Sequence, residues 1–224
     1  RKELGNDYPI SVKLNSADFQ KGGFSNEESI KVAGMLSNAG IDLLEISGGT
    51  YEQPKLLGYD KVSVNPKRNQ FLRNSTIARE SYFLSYAENI SSAIDTPLMV
   101  TGGFRSRVGM EAALSSQVCQ MIGVARPLCS DPLAIKKIIN GEIDHLPAHE
   151  EKLSIGPWWL STKSPFRLIQ AINAFSAQSW FYMQIRRMSQ GLDPDIDLRP
   201  FKAFLENNKY DQASTHDYHN HIPE

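Results

Sequence analysis

The sequence predicts an α/β fold in which a parallel sheet is covered by helices. Three observations carry this. Short apolar runs beginning near Ile10, Ile41, Leu98 and Met121 alternate with segments of helical composition, the rhythm of successive βα units. Capping residues and glycines punctuate these segments where helices start and stop. The last two runs end on a glycine pair and an arginine, as strands feeding a ligand-binding edge would.

Taken in order, Tyr8 to Asn15 alternates as a strand. Ile10, Val12 and Leu14 share one face; Ser11, Lys13 and Asn15 share the other. The apolar set is expected to face helices and Lys13 the opposite side of the sheet. Lysine is rarely buried without a partner, and Glu45 on the next strand offers a structural ion pair. Asp18 to Phe24 is a glycine-containing loop, and Ser25-Asn26-Glu27-Glu28 matches a capping box opening a helix to about Asn38. Gly40 stands where such a helix is closed. Ile41 to Ser47 is the second strand, with Gly48 to Glu52 as its exit turn. A loop from Gln53 to about Ser75 exceeds the usual length of connections in compact domains. Arg79 to Ile94 is an amphipathic helix with Phe83, Ala87, Ile90 and Ile94 on one stripe.

The stretch from Pro97 to Pro132 places the chemistry. Leu98 to Thr101 is a short strand stopped by Gly102-Gly103. Ser106 is the N-cap of a helix through Met110 to Leu114. Met121 to Ala125 is the fourth strand, ending at Arg126-Pro127. Ser130-Asp131-Pro132 opens a further helix to Ile139, near Gly141. Glycines let backbone N–H groups approach an anion closely, and a guanidinium can bind phosphate in two places at once. The alternative is a plain tight turn and a surface arginine.

From His149 the character changes. Ser164-Pro165 starts a long helix to about Gln190, closed by Gly191. Phe166, Ile169, Ile172, Phe175, Trp180, Phe181 and Ile185 make it apolar on most sides, so it is expected to be covered by protein, as are Trp158 and Trp159. Arg167, Asn173, Gln178 and Arg186 exclude a membrane span. A short helix over Phe201 to Glu206 and a polar tail finish the chain. His145 and His149 have helical spacing, but Pro147 between them argues against a helix. The tail's His216, His219 and His221 lack the Cys or carboxylate that would complete a metal site. No Ser-His-Asp or Cys-His arrangement is defensible.

Composition is that of an ordinary globular protein, 41% hydrophobic and 22% charged. With 24 basic and 25 acidic residues the net charge is −1, so neither nucleic acid nor a membrane surface is an expected partner. Cys119 and Cys129 show no disulfide or metal spacing, which suits a reducing, cytoplasmic location. The opening RKELGNDYP has no signal-peptide character.

VKLNSADF, GGFS, LLEISGGTYE, RESYFL-x-YAE, PLMVTGGFR and IGVARPL-x-x-DP, in this order, resemble the second half of the old yellow enzyme family. These are NADH:flavin oxidoreductases built on an FMN-bearing (β/α)8 TIM barrel. The resemblance covers about Asp7 to Pro132; GPWWL and the tryptophan-rich helix are similar, more loosely, to C-terminal extensions of fungal members. It implies that residues 1–148 form strands five to eight of the barrel, and that 149–224 form a helical extension. It implies FMN as cofactor, NADH or NADPH as hydride donor and a small-molecule substrate with an activated C=C bond. Lys13 corresponds to the basic residue against the flavin N1/O2 edge. Gly102, Gly103 and Arg126 correspond to the phosphate site after strands seven and eight. Ala125 stands where many members have glycine.

A full barrel needs about 250 residues, and the counterparts of the family's first four strands are not in this sequence. With them go the substrate-binding pair, the proton-donating tyrosine and two further flavin contacts, so the catalytic residues stay unknown. The chain is expected to be a truncated member that can form homo-oligomers. The competing expectations are another phosphate-binding barrel enzyme, such as an aldolase or isomerase, and a non-catalytic remnant serving as a binding module.

Overall fold

The computed structural model describes residues 1–18, 22–47 and 84–221. The expected exit turn at 48–52, the long loop from Gln53 and the start of the helix at Arg79 lie outside them. The chain divides into two compact units, Arg1–Ala125 with Asn140–Leu146, and Arg126–Ile139 with Pro147–Glu224.

The first unit holds four strands, β1 (Ser11–Asn15), β2 (Leu43–Ser47), β3 (Leu98–Thr101) and β4 (Met121–Gly123). They form one parallel sheet in the order β1-β2-β3-β4. Between them run α1 (Asn26–Asn38), α2 (Leu84–Ser91) and α3 (Arg107–Ser115). A parallel neighbour cannot be reached by a hairpin, so each strand needs a helical crossover. The result is four successive βα units of a (β/α)8 barrel.

Alternation fixes the two faces. Leu44, Ile46, Leu98 and Val100 are fully buried or nearly so, and pack with Ala33 of α1, Ala87 and Ile90 of α2 and Ala113 of α3. Val12, Leu14 and Ile122 flank this core. The other face carries Lys13, Glu45, Met99 and Met121 in one row across all four strands, as the register requires.

Local signals set the helix ends. Ser25 Oγ accepts from the Glu28 N–H at 3.2 Å, and the Glu28 carboxylate accepts from the Ser25 N–H at 2.8 Å. That reciprocal pair is the capping box expected from the sequence. Ser25→Ala is expected to cost about 1 kcal/mol, read from the midpoint shift in a denaturant titration. Hydrogen bonds from Ser25, the backbone one first, hold the Glu28 carboxyl below its usual range. A carboxylate depressed in the folded state stabilises at pH above its ordinary value and loses that contribution as pH falls through the lowered one. Glu28→Gln should therefore flatten the acid limb of stability. Ser106 caps α3 as expected, accepting from the Gly109 N–H at 3.0 Å. The 140–146 segment returns to this corner, where the Arg107 N–H donates to the Asp144 carbonyl and the Leu146 N–H to the Arg105 carbonyl.

The second unit contains α4 (Arg126–Ser130), α5 (Ala134–Ile139), α6 (Arg167–Ser189) and α7 (Pro200–His221). A boundary after residue 148 is what the sequence suggests. By compactness residues 126–139 group instead with the C-terminal helices, because Cys129 of α4 packs on the Trp180–Phe181 cluster of α6. The strand expected to run to Ala125 stops at Gly123, and Arg126-Pro127 opens a helix, where proline's missing N–H costs nothing.

Three expectations are corrected here. The last helix is not confined to Phe201–Glu206; it continues through the polar segment to His221. No glycine or proline interrupts 201–221, and α6 supplies partners as far as Asp211. Arg186 donates to Asn207 Oδ1 at 2.7 Å, pairs with Asp211 at 2.8 Å and lies 3.7 Å over the Tyr210 ring. The long helix is also not covered on all sides, for Phe166, Leu168, Phe175 and Ile185 are exposed. Its buried face is partly polar, and its two largest polar side chains, Asn173 and Gln184, are paired. Asn173 bonds the backbone at Ile155, Leu160 and Ile169, and Gln184 clasps both backbone groups of Asp195. Finally, Trp158 and Trp159 are exposed, not buried.

Candidate functional site

The parallel register puts the exits of β3 and β4 side by side, with Thr101 opposite Gly123. Gly102 and Gly103 follow Thr101 with φ of 124° and 83°, backbone that side chains rarely adopt. Their N–H groups therefore turn at the C-terminal edge of the sheet, where α/β folds bind ligands. Thr101 Oγ1 is buried there with no hydrogen-bond partner among the described residues. An orphaned buried hydroxyl costs free energy, and a bound polar group would satisfy it. Ala125 is exposed just beyond β4.

Lys13 projects from the open face, and its ammonium lies 2.7 Å from Glu45 Oε1 on the adjacent strand. The ion pair expected as the structural alternative is thus present. The lysine side chain is 57% exposed and the glutamate 18%. The pair leaves most of the lysine accessible while fixing its head over β2. Arg126 is the first residue of α4, half-buried, with its guanidinium 3.7 Å from Glu150 Oε1. That glutamate, in the short 3-10 helix His149–Glu151, carries no signal in the sequence. Lys13, Gly102, Gly103 and Ala125 belong to the first unit and Arg126 opens the second.

Cys129 follows Arg126 within α4. Burial pushes its thiol up, and the neighbouring guanidinium offsets this only in part. Cys119 is raised by burial alone. Both cysteines are free thiols and neither is activated as a nucleophile. His145 pairs in an isolated bridge with Ser106, and His149 stacks 5.4 Å from Trp180, so neither lies on a common helix face. Among the described residues no group of His, Cys, Asp or Glu could hold a metal ion, and no helix is long and apolar enough to cross a membrane.

Within the first unit, two left-handed glycines at a strand exit and an adjacent orphaned hydroxyl are suited to a phosphate, and the accessible lysine to an anionic ring edge, so these residues could hold a phosphate-bearing flavin.

Comparison with known proteins agrees with this pattern. No family model matches the chain. It is 33% identical over 165 residues to the NADH-dependent flavin oxidoreductase iliE of Hypocrea jecorina (strain QM6a), covering 71% of this chain and 38% of that one. It is 32% identical over 199 residues to the NADH-dependent flavin oxidoreductase iccE of Talaromyces variabilis, covering 85% and 44%. An NADH oxidase of Thermoanaerobacter brockii is 29% identical over 142 residues, covering 63% and 19%. A solved complex of 2-naphthoyl-CoA reductase with 2-naphthoyl-CoA superposes with a TM-score of 0.51 at 28% identity, over 65% of this chain and 20% of that one. The chain thus spans less than half the length of these relatives. Its βα order, its strand-end motifs and these likenesses make it similar, over the part of their length that it spans, to NADH:flavin oxidoreductases of the old yellow enzyme type.

Proposed function

We propose that this chain is the FMN-phosphate half of an ene-reductase-type oxidoreductase acting in the cytoplasm on a small molecule. The observation that carries the reading is the β3 exit, where Gly102 and Gly103 turn with positive φ beside the unpartnered Thr101 hydroxyl. When bound, FMN would supply a hydride, drawn from NADH or NADPH, to an activated C=C bond. The chain's own residues bind and orient. The Gly102 and Gly103 N–H groups and the Arg126 guanidinium hold the phosphate, with Ala125 the smallest side chain that could stand beside it. The Lys13 ammonium, steadied by Glu45, faces the N1/O2 edge and favours negative charge there. Residues 1–148 are assigned to the barrel and 149–224 to its extension.

The test is a comparison of FMN with riboflavin, which lacks the phosphate, in a complex of this chain with the N-terminal barrel half of a relative. FMN is expected to bind more tightly. Arg126→Ala should weaken FMN by about 1.5–3 kcal/mol, the scale of a charged hydrogen bond, and leave riboflavin nearly unchanged. Equal losses for both would remove Arg126 from the site. In the same complex Lys13→Met should lower the reduction potential of bound flavin, and an unchanged potential would return Lys13 to a purely structural pair. A second reading, a non-catalytic binding module, is favoured by one observation. Both cationic side chains already face glutamates, Lys13 with Glu45 and Arg126 with Glu150. Failure of the complex to hold either flavin would select it.

A further inference from the structure

The α6 helix carries a second pattern, independent of the flavin site. Leu168, Phe175 and Tyr182 recur every seventh residue, and Ala171, Gln178 and Ile185 recur every seventh residue three positions later. These are the a and d positions of a heptad, the spacing by which one helix packs along another. Asn173 and Trp180, on the opposite side, are buried within the helix's own unit. The a/d stripe is left in the open. Leu168 is 71% exposed, Phe175 57%, Tyr182 40% and Ile185 46%. Phe175, Gln178 and Tyr182 also form one wall of a groove of about 410 Å³, whose other wall is Phe204 and Asn208 of α7.

We infer that this face is an isologous interface in which α6 pairs antiparallel with α6 of a second copy of this chain. The seam carries no charge, and Arg186 at its edge is neutralised by Asp211, so a charged peptide finds no counterpart. A two-fold axis between Ser176 and Ala177 sets Ala171 against Tyr182 of the other copy, Phe175 against Gln178 and Leu168 against Ile185. Large side chains then meet smaller ones in the central layers. A parallel pair would stack Phe175 on Phe175 and Ala171 on Ala171, alternating crowding with voids. Area agrees as well. With large side chains presenting ~150–250 Å² each, the four exposed ones offer on the order of 400 Å² per copy. Ala171, Gln178 and the α7 wall of the groove bring two copies toward the ~1,200 Å² at which specific interfaces begin.

Sedimentation velocity and disulfide trapping on the 224-residue chain test this. The chain should sediment as a dimer or a multiple of one, and Phe175→Glu should weaken association at least about tenfold. Phe175 is more than half exposed, so the variant should fold, which circular dichroism checks. Trp158→Glu, which changes an exposed tryptophan outside the seam, should leave association unchanged. Ala171→Cys with Tyr182→Cys should trap an inter-chain disulfide in an assembly of any size, whereas Leu168→Cys alone should not. A monomeric wild-type chain would overturn the proposal and give the face to another occupant, a different protein or another part of a longer chain. Association indifferent to Phe175→Glu, as pairing through the open strand edges would be, overturns it too, as does a Leu168–Leu168 cross-link.

Discussion

Trp180→Ala is expected to destabilise the second unit by about 3–5 kcal/mol, the cost of truncating a fully buried tryptophan where the surroundings cannot collapse. Trp180 has no exposed surface, and it is the largest fully buried side chain of the described residues. Phe181 meets its ring edge-on at 5.1 Å and His149 lies at 5.4 Å, while Leu198 and Ala203 complete the cluster. Its indole N–H donates to the Leu198 carbonyl at 2.9 Å, holding the turn that launches α7 onto α6. The truncation therefore opens a cavity and frees that turn together. Trp180→Phe keeps most of the packing and loses the hydrogen bond, so it should cost only about 1–2 kcal/mol. Denaturant unfolding followed by far-ultraviolet circular dichroism reads both. A loss below about 1.5 kcal/mol for the alanine variant would mean that α6 and α7 are held elsewhere along their length.

The contrast between the two units shows what a sequence makes legible. In the first, each signal is local and its partner is near in sequence or on the next strand. Ser25 and Glu28 form their capping box, and Lys13 meets Glu45 because parallel neighbours in this register put them opposite one another. In the second, the deciding contacts are long-range and polar. The residues after Glu206 read as a polar tail, yet they form helix because Arg186 binds Asn207 and Asp211. Asn173 reads as a polar interruption in an apolar helix, but it and Gln184 are buried and bind backbone groups of neighbouring segments, while Phe175 and Ile185 are exposed. The site divides in the same way. Gly102 and Gly103 are readable as a turn at a strand exit, whereas Glu150 beside Arg126 has no local signature.

Gly123→Val sets two physical rules against each other. By strand propensity valine should improve β4, since β-branched residues favour pleated positions and glycine weakens them. By sterics it should be severely unfavourable, and we expect sterics to win. A Cβ built on Gly123 would fall inside the Thr101 hydroxyl and 2.8 Å from the Thr101 Cβ. Turning the threonine side chain can move its oxygen, but its Cβ is fixed to β3, so the strands must part. A loss of about 3 kcal/mol or more is expected for valine, at the upper end of overpacking costs, and about 1–3 kcal/mol for alanine. Thr101→Ala alone should be close to neutral, because it removes a buried hydroxyl with no hydrogen-bond partner. Combined with Gly123→Ala it should recover part of the loss, a coupling of about 1 kcal/mol in a double-mutant cycle. The remainder should persist, since the Thr101 Cβ stays in place. The same contact bears on the flavin site, because Thr101 immediately precedes Gly102 and Gly103. If β3 shifts to admit a side chain at 123, FMN affinity in the reconstituted barrel should fall with stability, and Thr101→Ala should recover part of the stability without restoring FMN, since it removes the hydroxyl that a bound polar group would satisfy. Stability lost without any change in FMN affinity would separate this packed corner from the phosphate cradle.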